Sequence, residues 1–264
     1  MGAGDATAAG GGGTGGSAGG SGTGGGGAAA MCPGPTPASP TSTGRLDVPL
    51  DVTVNDAELV MGQAAATRAG SEYRLSLFKY FLTQPKLLAA GGTEVEAALV
   101  GAEGAPLPYG LQLVDADDET TQVMHLAAPA GSYEGLRISV GVPAPCNGGD
   151  PTTQVFPLNA DGDMYWTWGA QYMFIRIEGF LRETTGAPEN PFLHHVGFEP
   201  AFVSVTLPAA LVVSETPATA SVTLGLDVDR LLEPRAGSTP SGKHDVLDGW
   251  VIDNIDDNQV FSLK

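Results

Sequence analysis

The sequence predicts an all-β protein: an antiparallel β-sandwich with a short C-terminal helix, behind a disordered Gly-rich N-terminal tether. Three observations predict this fold. Apolar residues alternate with polar ones over five separate stretches, which is the period of a half-buried strand. Clusters of Gly, Pro, Asn and Asp separate these stretches, as at residues 145–150 and 184–188. Many short strands joined by such turns are typical of two packed antiparallel sheets.

Residues 1–44 are predicted to form the tether. Half of residues 1–30 are Gly, and Asp5 is the only charged residue before Arg45. A stiffer, Pro-rich lead-in begins at residue 32. A tract with so little apolar surface cannot offset the entropy that is lost when a chain becomes ordered. We therefore expect a single folded domain over residues 45–264.

The strands are predicted from the alternation along this domain. The first stretch carries Leu46, Val48, Leu50, Val52 and Val54, with mostly polar residues between them. Because side chains alternate between the two faces of a strand, the apolar set should face the core. Four later stretches show the same pattern, at Leu136, Ile138, Val140 and Val142, at Met173, Ile175 and Ile177, at Val203, Val205 and Leu207, and at Val222, Leu224, Leu226 and Val228.

The C-terminal segment has a different period. Leu247, Val251 and Ile255 recur four residues apart, with Trp250 beside them. This spacing lines one face of a helix, whereas a strand would repeat every second residue. We expect a short helix to close the chain.

The charge of the chain argues against several classes of partner. Its net charge is −18 and its isoelectric point is near 4.3. The chain offers no basic patch to neutralise phosphates, which argues against nucleic acid and against an anionic membrane surface. It also has no run of 18 apolar residues that could span a membrane. The low isoelectric point fits an exported protein.

Two further features bear on the cellular compartment. A Gly, Ala and Ser tract often follows the lipid-anchored cysteine of an exported protein. We hypothesise that a signal or lipoprotein leader preceded Met1, which would place the protein in the periplasm or at the cell surface, including as an outer-membrane lipoprotein. Cys32 and Cys146 are the only cysteines. In an oxidising compartment a disulfide between them is the favoured interpretation, and two unpaired thiols are the alternative.

The most informative segment is residues 163–179. It holds Trp166 and Trp168, two of only three tryptophans, at the start of a predicted strand. Residues two apart in a strand point to the same side. The pair is therefore either a core anchor, since aromatic side chains supply much of a core's buried area, or a paired aromatic site with a chemical role.

Histidines are the first candidates for a metal site. His194 and His195 are adjacent, His244 precedes the predicted helix and His125 ends a loop. Imidazole is the commonest side-chain ligand for copper and zinc. Two neighbours in a strand face opposite ways, however, so at most one of His194 and His195 should point into a given site. Plain surface histidines are the alternative.

Acidic clusters at residues 115–119, 161–163 and 253–257 are the second candidates, because carboxylate and carbonyl oxygens bind Ca²⁺. None has the spacing of an EF-hand loop, so solvated loop acids are the alternative. The chain shows no nucleophile elbow, no phosphate-binding loop before a helix and no His-Glu-x-x-His motif. We expect that the protein is not an enzyme.

Several segments, taken in order, resemble the MbnP-like family of exported, copper-associated proteins. Residues 70–87 look like its strand with a Phe-Lys-Tyr-Tyr core, in which Phe81 replaces the second Tyr, and residues 130–142 look like its Gly-x-Tyr…Val-Gly-Val segment. Residues 163–179 are similar to the signature Met-x-Trp-x-Trp…Gly-Tyr-x-Phe-x-x-x-Glu-Gly, which is the most specific match. Residues 192–197 resemble its Phe-His…His-ϕ-Gly segment. The resemblance covers most of residues 46–264.

The resemblance implies a function. Members are encoded beside a dihaem, MauG-like enzyme that can oxidise a tryptophan to kynurenine, and the site with nearby histidines is associated with copper. Carried over, Trp166 and Trp168 are the candidates for modification. His195 matches the His-ϕ-Gly position as a ligand for Cu(I) or Cu(II), and His194 and His244 are further candidates. The protein would then serve copper homeostasis as a metal carrier and a substrate of the dihaem enzyme.

Two other functions are left open by the residues. A surface binding module would present Trp166 and Trp168 to a glycan or a protein, and it predicts exposed aromatic side chains. A Ca²⁺-stabilised cell-envelope domain would use the acidic loops, and it predicts a melting temperature that responds to Ca²⁺.

Overall fold

The computed structural model describes residues 33–36, 41, 44–167, 169, 171–197, 201–215, 222–233, 249–256 and 260–264, with the backbone only at 249, 250 and 256. The chain divides into two units, residues 1–30 and 31–264, and the first unit lies outside the described residues. The predicted limits of the tether, residues 1–44, and of the domain, residues 45–264, therefore stay a prediction.

The described part of the chain consists mainly of strands. The strands are β1 (Gly44–Val54), β2 (Ala57–Glu58), β3 (Ala64–Ala66), β4 (Glu72–Leu88), β5 (Glu94–Glu96), β6 (Ala98–Val100), β7 (Leu111–Asp115), β8 (Val123–Ala128), β9 (Gly131–Val140), β10 (Tyr165–Trp166), β11 (Gln171–Arg182), β12 (Asn190–Gly197), β13 (Val203–Val213), β14 (Leu224–Asp227) and β15 (Phe261–Leu263). The α-helices are α1 (Ala144–Asn147), α2 (Val228–Leu231) and α3 (Gly249–Asp256).

These strands form two sheets, as the sequence predicts. The smaller sheet has the order β15-β14-β1-β8-β6, with β2 also paired to β1. The larger sheet has the order β10-β11-β4-β9-β13, with β12 paired to β11 and β3, β5 and β7 paired to β4. The pairings among these strands are antiparallel except for β1 with β14, which is parallel. The predicted antiparallel sandwich is confirmed, with this one parallel contact added.

The predicted apolar stretches supply the core. In β1, Leu46, Val48 and Val54 are at most 1% exposed, while Asp47 and Asp51 between them are partly exposed. Complete burial of one such side chain contributes about 1.5–3 kcal/mol. Tyr80 of β4 and Phe261 of β15 come from different sheets, and their ring centroids lie 6.5 Å apart. Aromatic contact thus joins the two sheets.

The C-terminal segment differs from the prediction in one respect. Helix α3 forms, and Val251 and Ile255 are fully buried on it, whereas Leu247 lies outside the described residues. The helix does not close the chain, because β15 follows it and pairs with β14. A three-residue strand has too short a pattern to be recognised before its partner strand is known.

Charged side chains hold α2 against the smaller sheet. Asp227 ends β14 and caps α2 by accepting the backbone N–H groups of Asp229 and Arg230 at 3.0 and 3.4 Å. Arg68 donates to the carboxylates of Asp227, Asp229 and Asp56. One guanidinium therefore serves three carboxylates, two of them buried. Within the described residues, no helix is long and apolar enough to cross a membrane.

Candidate metal and modification site

Trp166 is a buried residue, only 4% exposed. It ends β10, where it lies opposite Gln171 of β11. Its six-membered ring lies against Gly197, the last residue of β12: a Cβ added there would be 2.7 Å from Cζ3 and 3.0 Å from Cη2 of Trp166. Glycine is thus required for the close approach of the indole to the β12 backbone.

The two adjacent histidines project from opposite faces of β12, as alternation predicts. His194 lies opposite Ile177 of β11, and His195 lies opposite Arg176. His194 shares the face of buried Phe192, and the two ring centroids are 5.5 Å apart. His195 is 7% exposed and shares its strand face with Gly197, two residues further on.

It follows that the structure brings Trp166 and His195 to the same face of the β12 end and directs His194 to the other face. The indole lies over Gly197 and the imidazole of His195 is two residues away along the strand. Two further candidates from the sequence, Trp168 and His244, lie outside the described residues.

A charged network surrounds His195. Its Nε2 lies 2.9 Å from Oε1 of Glu178 on β11. The same oxygen accepts the Nε–H of Arg176 at 2.7 Å. Nη1 of Arg176 donates to the backbone carbonyl of Asp163 at 2.8 Å and also bonds its carboxylate. The network therefore runs from His195 to the turn that precedes Trp166.

The charge state of Glu178 follows from these contacts. Partial burial raises the pKa of its carboxyl, but the hydrogen bonds from Arg176 and His195 outweigh burial and bring the pKa below its usual value. Glu178 is therefore ionised at neutral pH and acts as a hydrogen-bond acceptor.

A second set of contacts holds the paired strands β10 and β11, which carry Trp166 and Tyr172. The rings of Tyr165 and Tyr172 meet edge to face, with centroids 5.0 Å apart. The hydroxyl of Tyr172 donates to the carbonyl of Leu158 at 2.5 Å. Its backbone N–H donates to Oδ1 of Asn147 at 3.0 Å. The short helix α1 is thus bonded directly to the strand next to Trp166.

Cys146 precedes Asn147 in α1, is 3% exposed and is disulfide-bonded. Its predicted partner, Cys32, lies outside the described residues, so the pairing of these two cysteines stays a prediction. The disulfide bond of Cys146 restrains the helix that contacts Tyr172.

Two of the three acidic clusters lie in or beside turns, whereas residues 253–256 of the third belong to α3 and residue 257 lies outside the described residues. Asp115 forms an ion pair with Lys79 at 3.1 Å, Asp118 caps the turn at Thr120, and Asp161 accepts from Asn159 at 2.8 Å. Over the described part of the chain, no group of three or more His, Cys, Asp or Glu side chains is placed to hold a metal ion. The calcium hypothesis stays a prediction.

Arg176, Glu178 and Gly197 were not singled out from the sequence as site residues. One signal was available for the first two. They are the charged positions of a strand whose intervening residue, Ile177, is fully buried. Alternation puts Arg176 and Glu178 on one face. Their meeting with His195 depends on the register between β11 and β12, which the alternation of residues does not determine.

The fold and this geometry define a β-sandwich in which two buried residues, Trp166 and His195, lie near the end of one strand, β12. The model of the MbnP family matches residues 43–245. The match covers well over half of the chain, so this protein belongs to the MbnP family, and the resemblance seen in the sequence is confirmed.

A solved structure agrees with the fold. The chain is similar to MbnP from Methylosinus trichosporium, with a TM-score of 0.52 and 18% sequence identity, over 75% of this chain and 82% of that one. At this identity the similarity shows the fold alone. No curated protein sequence matches the chain.

Proposed function

We propose that this protein is an exported copper-binding protein and that Trp166 is oxidised to kynurenine by a dihaem, MauG-like partner enzyme. One observation carries the proposal: the Trp166 ring lies against Gly197, on the strand face that also carries His195. Membership of the MbnP family is consistent with a copper-related role. The protein itself would be the substrate and the carrier of the metal.

The chemistry gives a reason for the modification. An indole N–H is a donor only and cannot bind a metal as it stands. Oxidative cleavage of the indole double bond by two molecules of hydrogen peroxide inserts two oxygen atoms, releases two molecules of water and yields N-formylkynurenine. Hydrolysis then consumes one water, releases formate and leaves kynurenine. The product has an aromatic amine and a ketone, both able to coordinate.

The residues present fit copper only partly before this change. His195 offers an imidazole nitrogen on the face of β12 where Trp166 lies against Gly197, and nitrogen ligands suit both Cu(I) and Cu(II). The amine and ketone of oxidised Trp166 would add donors on the same face. His244 and Trp168 are further candidates. His194 projects from the opposite face of β12 and is not part of the proposed donor set.

Export is part of the proposal. Cys146 is disulfide-bonded, and disulfides persist in oxidising compartments such as the periplasm and the cell surface. A lipid anchor ahead of the tether would keep the domain at the outer membrane. By contrast, the alternative of a glycan-binding module predicts exposed tryptophans, and Trp166 is buried.

A copper titration tests the proposed site. We would treat the protein with the dihaem enzyme and hydrogen peroxide, and then measure copper affinity for wild type, His195→Ala and His125→Ala. His125 is the matched control, because it also bonds a carboxylate, Asp47 at 2.7 Å, but lies on the other sheet. We expect His195→Ala to lose more than the roughly 10–100-fold that loss of an outer partner costs. Full affinity in His195→Ala would refute the proposed ligand.

A further inference from the structure

We propose that Glu178 and Arg176 are positioning residues that hold His195 by Nε2 and so assign Nδ1 as its metal-binding nitrogen. The proposal rests on the proposed function for the identity of the metal, but its geometry concerns only residues of this chain. Neither side chain would touch the copper, and each would act through His195.

The first step is the shared acceptor. Oε1 of Glu178 lies 2.9 Å from Nε2 of His195 and 2.7 Å from Nε of Arg176. Arg176 and Glu178 are two residues apart on β11, and His195 lies opposite Arg176 on β12. The ladder of backbone hydrogen bonds between these strands therefore fixes the spacing of all three side chains.

The second step is the tautomer. Oε1 of Glu178 accepts the Nε–H of Arg176, which can only donate, so this oxygen faces His195 as an acceptor and the neutral imidazole must carry its proton on Nε2 to bond it. A metal binds the ring nitrogen that lacks the proton. The nitrogen that can bind while the bond to Glu178 is kept is therefore Nδ1. Outer carboxylates hold metal-binding histidines in this way in many proteins.

The third step connects His195 to the tryptophan. Arg176 also bonds the backbone carbonyl and the carboxylate of Asp163, three residues before Trp166. Its guanidinium is largely buried, with 16% of the side chain exposed. One arginine thus holds both the turn that presents Trp166 and the carboxylate that orients His195.

A measurement on the metal-free, unmodified protein tests the assignment directly. Heteronuclear NMR of the histidine ring nitrogens, at a pH where the imidazole is neutral, reports which nitrogen carries the proton. We expect His195 as the Nε2–H tautomer. Observation of the Nδ1–H tautomer as the main form would overturn the proposal, whether or not the protein binds copper.

Variants test the two residues separately. Glu178→Leu removes the acceptor, and we expect a mixture of His195 tautomers and copper affinity lower by roughly 10–100-fold. Glu178→Gln should keep the tautomer. The Nε–H of Arg176 should hold the amide oxygen of the glutamine where Oε1 of Glu178 lies, so that this oxygen still accepts from Nε2 of His195. Arg176→Lys should weaken copper binding, whereas Arg182→Lys should not. Arg182 lies on β11 like Arg176, but it bonds Glu72 of β4 at 2.6 Å, outside the site.

The outcomes separate this proposal from the proposed function. If oxidised protein binds no copper but His195 is the Nε2–H tautomer and loses it in Glu178→Leu, the function fails and the positioning role stands. If copper binds and Glu178→Leu changes neither tautomer nor affinity, the positioning role fails. Should Glu178→Leu not fold, the wild-type spectrum and Glu178→Gln still decide, since a changed tautomer in Glu178→Gln would contradict the role given to Arg176.

Discussion

Single-atom contacts place Trp166 at the end of β12. Gly197 leaves room for the ring, and a Cβ there would also meet the carbonyl oxygen of Tyr172 at 2.6 Å. Neither neighbour can move freely, because one is a buried indole and the other is backbone within the sheet. The position of the indole therefore depends on the absence of one side chain as much as on contacts.

The substitution Gly197→Ala tests this dependence. We expect a loss of about 1–3 kcal/mol in the free energy of unfolding, the usual cost of overpacking a core, together with a changed Trp166 environment. Urea unfolding and near-ultraviolet circular dichroism would measure the two effects. Gly148→Ala is the control, because a Cβ there meets nothing within 4 Å and its φ is −94°. Its effect should stay within about 0.5 kcal/mol, and an equal effect of the two substitutions would contradict the account.

At the scale of elements, the attachment of α2 depends on Arg68. Asp227 and Asp229 are 7% and 8% exposed, and Arg68 lies between them. Buried carboxylates without a counter-ion are costly, because the protein interior solvates charge poorly. Arg68 therefore stabilises the fold mainly because its removal would leave buried Asp227 and Asp229 without its charge.

Replacement of Arg68 by methionine should destabilise the fold. Breaking a fully buried ion pair costs about 3–5 kcal/mol, and we expect less here because the Arg68 side chain is 32% exposed. Arg137→Met is the matched control, since Arg137 pairs with Glu94 at the surface and should contribute about 0–1 kcal/mol. Chemical denaturation of both variants would measure the difference. A loss for Arg68→Met no greater than that for Arg137→Met would show that the cluster is not stabilising.

The contacts of Glu189 with β4 and β11 should make the stability of the fold depend on pH. It bonds Arg74 of β4 and Arg182 of β11, and the hydrogen bond and charge of Arg74 bring its pKa below its usual value. Because the folded pKa is lowered, the contribution of Glu189 is complete above its unfolded pKa and is lost as the pH falls through the folded pKa.

The difference in stability between wild type and Glu189→Gln should therefore be largest at neutral pH and shrink in acid. Denaturation midpoints measured at neutral and acidic pH would show it. Salt should also reduce the difference, because the pair is partly exposed. A stability difference that grows in acid would contradict a lowered pKa of Glu189 in the folded protein.

For the whole molecule, alternation along the chain predicted much of the architecture. The apolar set of β1 is buried as expected, and α3 forms with Val251 and Ile255 in the core. Local periodicity is sufficient for these features because each element shows its buried face in its own sequence.

The parts that the sequence did not predict depend on contacts between distant residues. The parallel pairing of Leu50 with Leu224 joins residues far apart in the chain. The contact of Trp166 with Gly197 and the Glu178–His195 bond depend on which strand lies next to β11 and in which register. A one-residue slip would turn His195 away from Glu178, and alternation in a single strand does not exclude such a slip.

The most direct test of the central claim is peptide mass spectrometry of the segment that holds Trp166 and Trp168. The protein would be treated with the dihaem enzyme and hydrogen peroxide and compared with Trp166→Phe. The account predicts a gain of one oxygen atom and loss of one carbon atom in wild type, located at Trp166 by fragmentation and absent from Trp166→Phe. An unmodified peptide, or the same mass change in Trp166→Phe, would contradict it.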